Sequence, residues 1–229
     1  MQIGIPAAVR EALGDVGALL FPVECAGCGA GDVSLCAACR AALTPMPTVR
    51  TVAGARVCSA LRFEGVTADV IRTLKEDGRT SLAGPLGAAL AVAVARTRPG
   101  LPEDAVFVPV PSSRASFRRR GFRPVETLMR RAGVPITRAL QLTRSTADQR
   151  GLEVAERAAN LSGAFEGRRV AGQDVVVVDD VVTTGATLAE AIRALRAAGA
   201  RVAAAVTLAD TPRRSMFAER EADACGIPT

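Results

Sequence analysis

The chain has 229 residues, 49% of them hydrophobic, and a formal net charge of +6, enough for one α/β core with a small appendage and too little for two full domains. It contains no histidine, which excludes histidine-based triads, general bases and metal sites. The positive balance suits polyanionic ligands such as pyrophosphate, nucleotides or nucleic acid, although an arginine-rich composition alone gives the same charge.

No uncharged run approaches the roughly 20 apolar residues needed to cross a bilayer. The longest, 81–95, is interrupted by Gly84 and Pro85. The N-terminus has no basic segment leading into an apolar stretch and cleavage site, so a soluble, cytoplasmic protein without membrane insertion is expected.

Apolar residues at Ile5, Val9, Leu13, Val16 and Leu20 predict an amphipathic helix over 5–20, which Pro22 ends. Cys25-x2-Cys28 and Cys36-x2-Cys39 follow. Each pair can set two thiolates on one side of a tight turn, with Gly27 and Gly29 easing the first, so that four sulfurs converge on Zn2+. So short a segment buries little apolar surface and would depend on the metal to fold. The rivals are two disulfides, which fit poorly without a secretory signal, a CxxC redox pair, or an iron–sulfur cluster. A site of four cysteines is closed, hence structural rather than catalytic.

Thr44-Pro45-Met46-Pro47-Thr48 reads as a stiff connector. It separates an N-terminal helix and zinc-binding module (1–47) from a larger domain (48–229). Residues 49–63 mix β-branched and small side chains, as a strand pair does, and Cys58 within them reads as a small buried hydrophobe. Cys225 takes the same reading. Val66, Val70, Ile71 and Leu74 predict a helix ending near Lys75 and Arg79, cations that could reach a phosphate or simply complement the helix C-terminus. A second, Ala- and Leu-rich helix over 81–96 is expected to be buried.

Residues 105–111 form a further apolar strand, held extended at its end by Pro109 and Pro111. Ser112, Ser113 and Arg114 follow it and could make an anion pocket for a pyrophosphate. Arg118, Arg119 and Arg120 could serve as a lid, a nucleic-acid patch or a solvated turn. Gln149, Arg150, Arg157 and Asn160 lie in a polar stretch; Arg157 and Asn160 could face one ligand or belong to a surface helix.

The most informative stretch is 175–188, VVVVDDVVTTGATL. Four consecutive valines fit a short strand buried on both faces of a parallel sheet. Asp179 and Asp180 end it, then come Thr183, Thr184, Gly185, Ala186 and Thr187, and Leu188, Ala191, Ile192 and Leu195 recur at helical spacing until Gly199. A glycine turn, hydroxyl donors and free helix-start amides together make a phosphate cradle. The carboxylates would repel a phosphate, but they suit neighbouring hydroxyls such as those of a ribose whose 5′-phosphate lies in the loop. No Walker lysine and no GxGxxG are present. A buried strand followed by a helix capped by Thr184 or Thr187 would explain the same residues without a ligand. Residues 202–208 give another strand, and the tail from Pro212 is polar.

The cradle resembles the signature of the type I phosphoribosyltransferases. The four-cysteine module, LKEDGR, VPVPSSRASFRRRGF, residues 144–165 and VVVVDDVVTTGAT together resemble the ComF family of competence-associated phosphoribosyltransferase-like proteins. This resemblance implies a Rossmann-like α/β fold of the type I class with a small N-terminal four-cysteine zinc ribbon. It implies structural Zn2+ on Cys25, Cys28, Cys36 and Cys39, and phosphoribosyl pyrophosphate bound with Mg2+. Asp179 and Asp180 would hold the ribose, residues 183–187 the 5′-phosphate, and Ser112, Ser113, Arg114 and Lys75 the pyrophosphate. Phosphoribosyl transfer is the activity implied. The alternative is a non-catalytic sensor of phosphoribosyl pyrophosphate that works in DNA uptake or processing with single-stranded DNA or a helicase. Arg123-Pro124 stands where the family often has Asn-Gln, and Phe63 where tyrosine is common.

Overall fold

The computed structural model describes residues 23–143 and 163–212. The expected helix over 5–20, the polar stretch from Arg144 to Asn160, and Cys225 lie outside them. Among the described residues the elements run α1 (Ala37–Ala42), β1 (Thr48–Val52), β2 (Ala55–Arg62), α2 (Gly65–Glu76), α3 (Ala83–Thr97), β3 (Val106–Pro109), α4 (Arg114–Arg120) and α5 (Pro124–Arg131). Then come β4 (Leu140–Leu142), β5 (Phe165–Gly167), β6 (Asp174–Val182), α6 (Ala186–Ala197) and β7 (Arg201–Asp210).

Five strands form one sheet in the order β1-β2-β7-β6-β3. All neighbours are parallel except the β1–β2 hairpin. The valine run explains the centre of this sheet. Val175 to Val178 are fully buried, and alternate members point to opposite faces. Val176 and Val178 pack with Ile71, Leu74, Leu86 and Leu90 of α2 and α3. Val175 and Val177 pack with Leu188, Ile192 and Leu195 of α6. Each such buried side chain contributes roughly 1.5–3 kcal/mol. The result is a three-layer α/β/α body around a mostly parallel sheet, as expected. A separate antiparallel ribbon, β4–β5, packs against α6.

Two local details differ from the expectation, and one helix lies where none was expected. The strand does not stop at the acidic pair but continues to Val182, because β7 runs beside it to Asp210 and keeps offering partners. The second helix begins with a short 3-10 turn, Thr80–Leu82. Arg123 and Pro124 start a helix: Pro124 occupies its first turn, where the missing amide costs nothing. That helix is anchored by Glu126, a buried carboxylate gripped by Arg138 through bonds of 3.1 and 2.7 Å. Arg138 holds the Glu126 carboxyl below the usual carboxylate range. Cys58 is buried, as expected, and bonds no other cysteine among the described residues. No helix among the described residues is long and apolar enough to cross a membrane.

Candidate functional site

The parallel register brings the C-terminal ends of β3 and β6 side by side. Pro109 pairs with Val178, and the Val110 amide donates to the Val178 carbonyl. Residues just past both strands therefore share one opening, where ligands of open α/β sheets bind. A cleft of about 470 Å³ lies there. Its wall includes Asp179, Asp180, Thr183 and Thr187 from the cradle, Lys75 from α2, and Ser112 beyond β3.

Asp179 is buried, and Asp180 is partly so. Desolvation, reinforced by the Asp180 charge, pushes the Asp179 carboxyl up to about 8. The Asp180 amide donates to Asp179 Oδ1 at 2.8 Å. Lys75 Nζ lies 3.0 Å from Asp180 Oδ2, so a cation from α2 already faces the acidic pair. Gly185, with φ +90°, opens α6 in the left-handed region that disfavours other residues. The Thr184 hydroxyl accepts the Ala186 amide at 3.3 Å, and among the described residues Thr187 makes no capping bond to α6.

Other expected site residues fall differently. Ser113 caps α4 by accepting the Ser116 amide at 3.1 Å, and it and Arg114 are exposed outside the cleft lining. Ser116 and Arg120 line the cleft instead, and the buried Nε of Arg120 has no hydrogen-bond partner among the described residues. The signal for these two was in the sequence, since Ser116 and Arg120 are four residues apart on α4 and so share a face. Arg79 does not reach the cleft lining; its Nη2 donates to Ser34, tying α2 to the cysteine module.

In that module the Sγ atoms of Cys25, Cys28, Cys36 and Cys39 all lie within 4.8 Å of one another. Cys28 and Cys36 sulfurs are 3.7 Å apart, close to the edge of a tetrahedron with Zn–S bonds of about 2.3 Å. Cys25 Sγ accepts the Cys36 amide at 3.3 Å, and this bond is the largest of the effects that lower its thiol to about 6. Four sulfur donors so spaced fit zinc. Gly27 is required, because a Cβ there would lie 2.8 Å from Cys39 Sγ. Cys25, Cys39 and Leu43 join the same apolar cluster as Ile71 and Leu74, so the module is packed onto the main core.

Residues 116–225 match the phosphoribosyl transferase domain family. The DNA utilization protein YhgH of Escherichia coli (strain K12) is 36% identical over 143 residues, covering 57% of this chain and 61% of its own. Orotate phosphoribosyltransferase of Pyrobaculum islandicum is 53% identical over 46 residues, covering 20% of this chain and 24% of its own. The chain thus spans about three fifths of the length of YhgH and about a quarter of that enzyme. The solved orotate phosphoribosyltransferase of Aeropyrum pernix is 20% identical, covers 76% of this chain and 79% of its own, and superposes with a TM-score of 0.33.

Proposed function

We propose that this chain, a ComF-like member of the phosphoribosyl transferase domain family, binds phosphoribosyl pyrophosphate with Mg2+ and transfers its phosphoribosyl group. The observation that carries the reading is the placing of an acidic pair and a hydroxyl-rich glycine loop on one cleft, opposite a lysine and a serine turn.

Breaking the bond from C1 of the ribose to pyrophosphate builds positive charge on the sugar and negative charge on the leaving group. Asp179 and Asp180 hydrogen-bond the ribose hydroxyls and fix the ring, with the Asp180 charge on the side where the cation develops. Thr183, Thr184, Gly185, Ala186 and Thr187 hold the 5′-phosphate with amides and hydroxyls. On the leaving-group side, Lys75, Ser112 and Arg120 face the pyrophosphate, and Ser113 and Arg114 stand on the turn that leads into it. The acidic pair offers hard oxygen donors that would help to hold Mg2+, which would supply neutralisation of leaving-group charge. No protein nucleophile is needed, which agrees with a chain lacking histidine.

Ligand binding must free Asp180 from Lys75, and the lysine then turns to the pyrophosphate. Asp180→Asn should weaken phosphoribosyl pyrophosphate binding by tenfold or more, about 1.4 kcal/mol. Unchanged affinity in calorimetry would remove this site from the account.

A second reading, a non-catalytic sensor of the same ligand acting on DNA, draws on exposed Arg114, Arg118, Arg119 and Arg131 around α4 and α5 and on the name of the YhgH relative. Single-stranded DNA retardation that falls steeply with salt would support it, and no retardation would end it.

A further inference from the structure

The cradle, Thr183-Thr184-Gly185-Ala186-Thr187, has no basic side chain of its own. A cation nevertheless stands against it. Arg50, on the antiparallel strand β1, lies 133 residues away in the chain. Its Nη2 donates to the Thr183 carbonyl at 2.9 Å, and its Nη1 lies 3.0 Å from Asp210 Oδ1 at the end of β7. The two side chains are only 11% and 16% exposed, so solvent screens the pair weakly. The approach is close: a Cβ on Gly185 would sit 3.7 Å from Arg50 Nη2 and 3.2 Å from both methyls of Val52, also on β1.

Two effects follow from elementary electrostatics. Occupying the Thr183 carbonyl fixes the peptide that opens the loop. A guanidinium beside the loop also sets positive charge, partly offset by Asp210, near where an anion would lie, and the one group donates to the carbonyl while ion-paired with the carboxylate.

We infer that Arg50, held by Asp210, positions and charges a phosphomonoester subsite at residues 183–187. This rests on the cradle holding the 5′-phosphate of a phosphoribosyl ligand, and adds a residue outside the stretch 116–225 that matches the family. The subsite is therefore incomplete without the β1–β2 hairpin.

The test titrates the wild-type protein, Arg50→Gln, Arg50→Lys and Asp210→Asn with ribose 5-phosphate and, separately, with magnesium pyrophosphate, alongside a thermal melt of each. Arg50→Gln should lose about tenfold or more in ribose 5-phosphate affinity and change pyrophosphate affinity by less than about twofold. Arg50→Lys keeps the charge without the fork and should lose less. Asp210→Asn should shift the same ligand selectively, and these two variants carry the test if Arg50→Gln does not fold. Equal losses for both ligands, or unchanged ribose 5-phosphate affinity, would overturn the assignment, as would a wild-type protein that binds no ribose 5-phosphate. Selective dependence on Arg50 in a protein that never releases pyrophosphate from phosphoribosyl pyrophosphate would refute transfer and leave the subsite standing.

Discussion

The substitution Asp179→Asn should stabilise the protein more as pH rises. Burial beside Asp180 pushes the Asp179 carboxyl from 3.8 to about 8. An unfolded chain releases this proton near pH 4 while the folded chain keeps it. Between those values the folded state binds more protons, so stability falls with rising pH, by up to about 1.4 kcal/mol per unit. Asparagine removes the titration while retaining an oxygen for the Asp180 amide, which reaches Asp179 Oδ1 at 2.8 Å. The charged groups facing it, Asp180 and Lys75, are present in both proteins. From about pH 5 to about pH 7 the wild-type protein should lose up to about 3 kcal/mol against the variant, roughly 6–12 °C in Tm for a chain of this size. Thermal melts across that range measure the gap. A gap that stays constant, or that widens toward acid, would refute the burial argument.

Other perturbations test other parts of the account. Gly185→Ala puts a Cβ at φ +90° and 3.2 Å from the Val52 methyls; it should cost about 1–2 kcal/mol in a melt and weaken ribose 5-phosphate binding. Cys39→Ser should abolish zinc measured by elemental analysis and lower Tm, because the module packs on the core through Cys39 and Leu43; retained zinc would contradict the four-sulfur site. Glu126→Gln loses the Arg138 fork and should cost about 1.5–3 kcal/mol. The depressed Glu126 carboxyl stabilises the fold above the ordinary carboxylate range and loses that contribution as pH falls through its folded value. The wild-type advantage over Glu126→Gln should therefore shrink in acid.

The elements legible in the sequence were those whose cause is local. Four adjacent valines specify a strand buried on both faces, and the spacing Leu188, Ala191, Ile192, Leu195 specifies the buried side of α6. The cysteine spacing is likewise a local pattern, and the four sulfurs meet. Arg50 was not legible, because its partners Thr183 and Asp210 are brought to it only by sheet order. Glu126 and Arg138 are 12 residues apart across a helix end, and nothing in their spacing foretells a fork. Ser113 and Arg114 were assigned to the pyrophosphate by order along the chain. The turn into α4 instead spends Ser113 on a helix cap and presents Ser116 and Arg120 to the cleft. The ribbon β4–β5 escaped notice because each strand has only three residues, too few for alternation to register.

The central claim is that the cleft at the ends of β3 and β6 binds phosphoribosyl pyrophosphate. Calorimetric titration of the zinc-loaded protein with phosphoribosyl pyrophosphate and Mg2+, with ribose 5-phosphate and pyrophosphate as controls, tests it most directly. Micromolar binding, tighter than to either half of the ligand, is the expected result. No heat and no thermal shift with any of the three would contradict it.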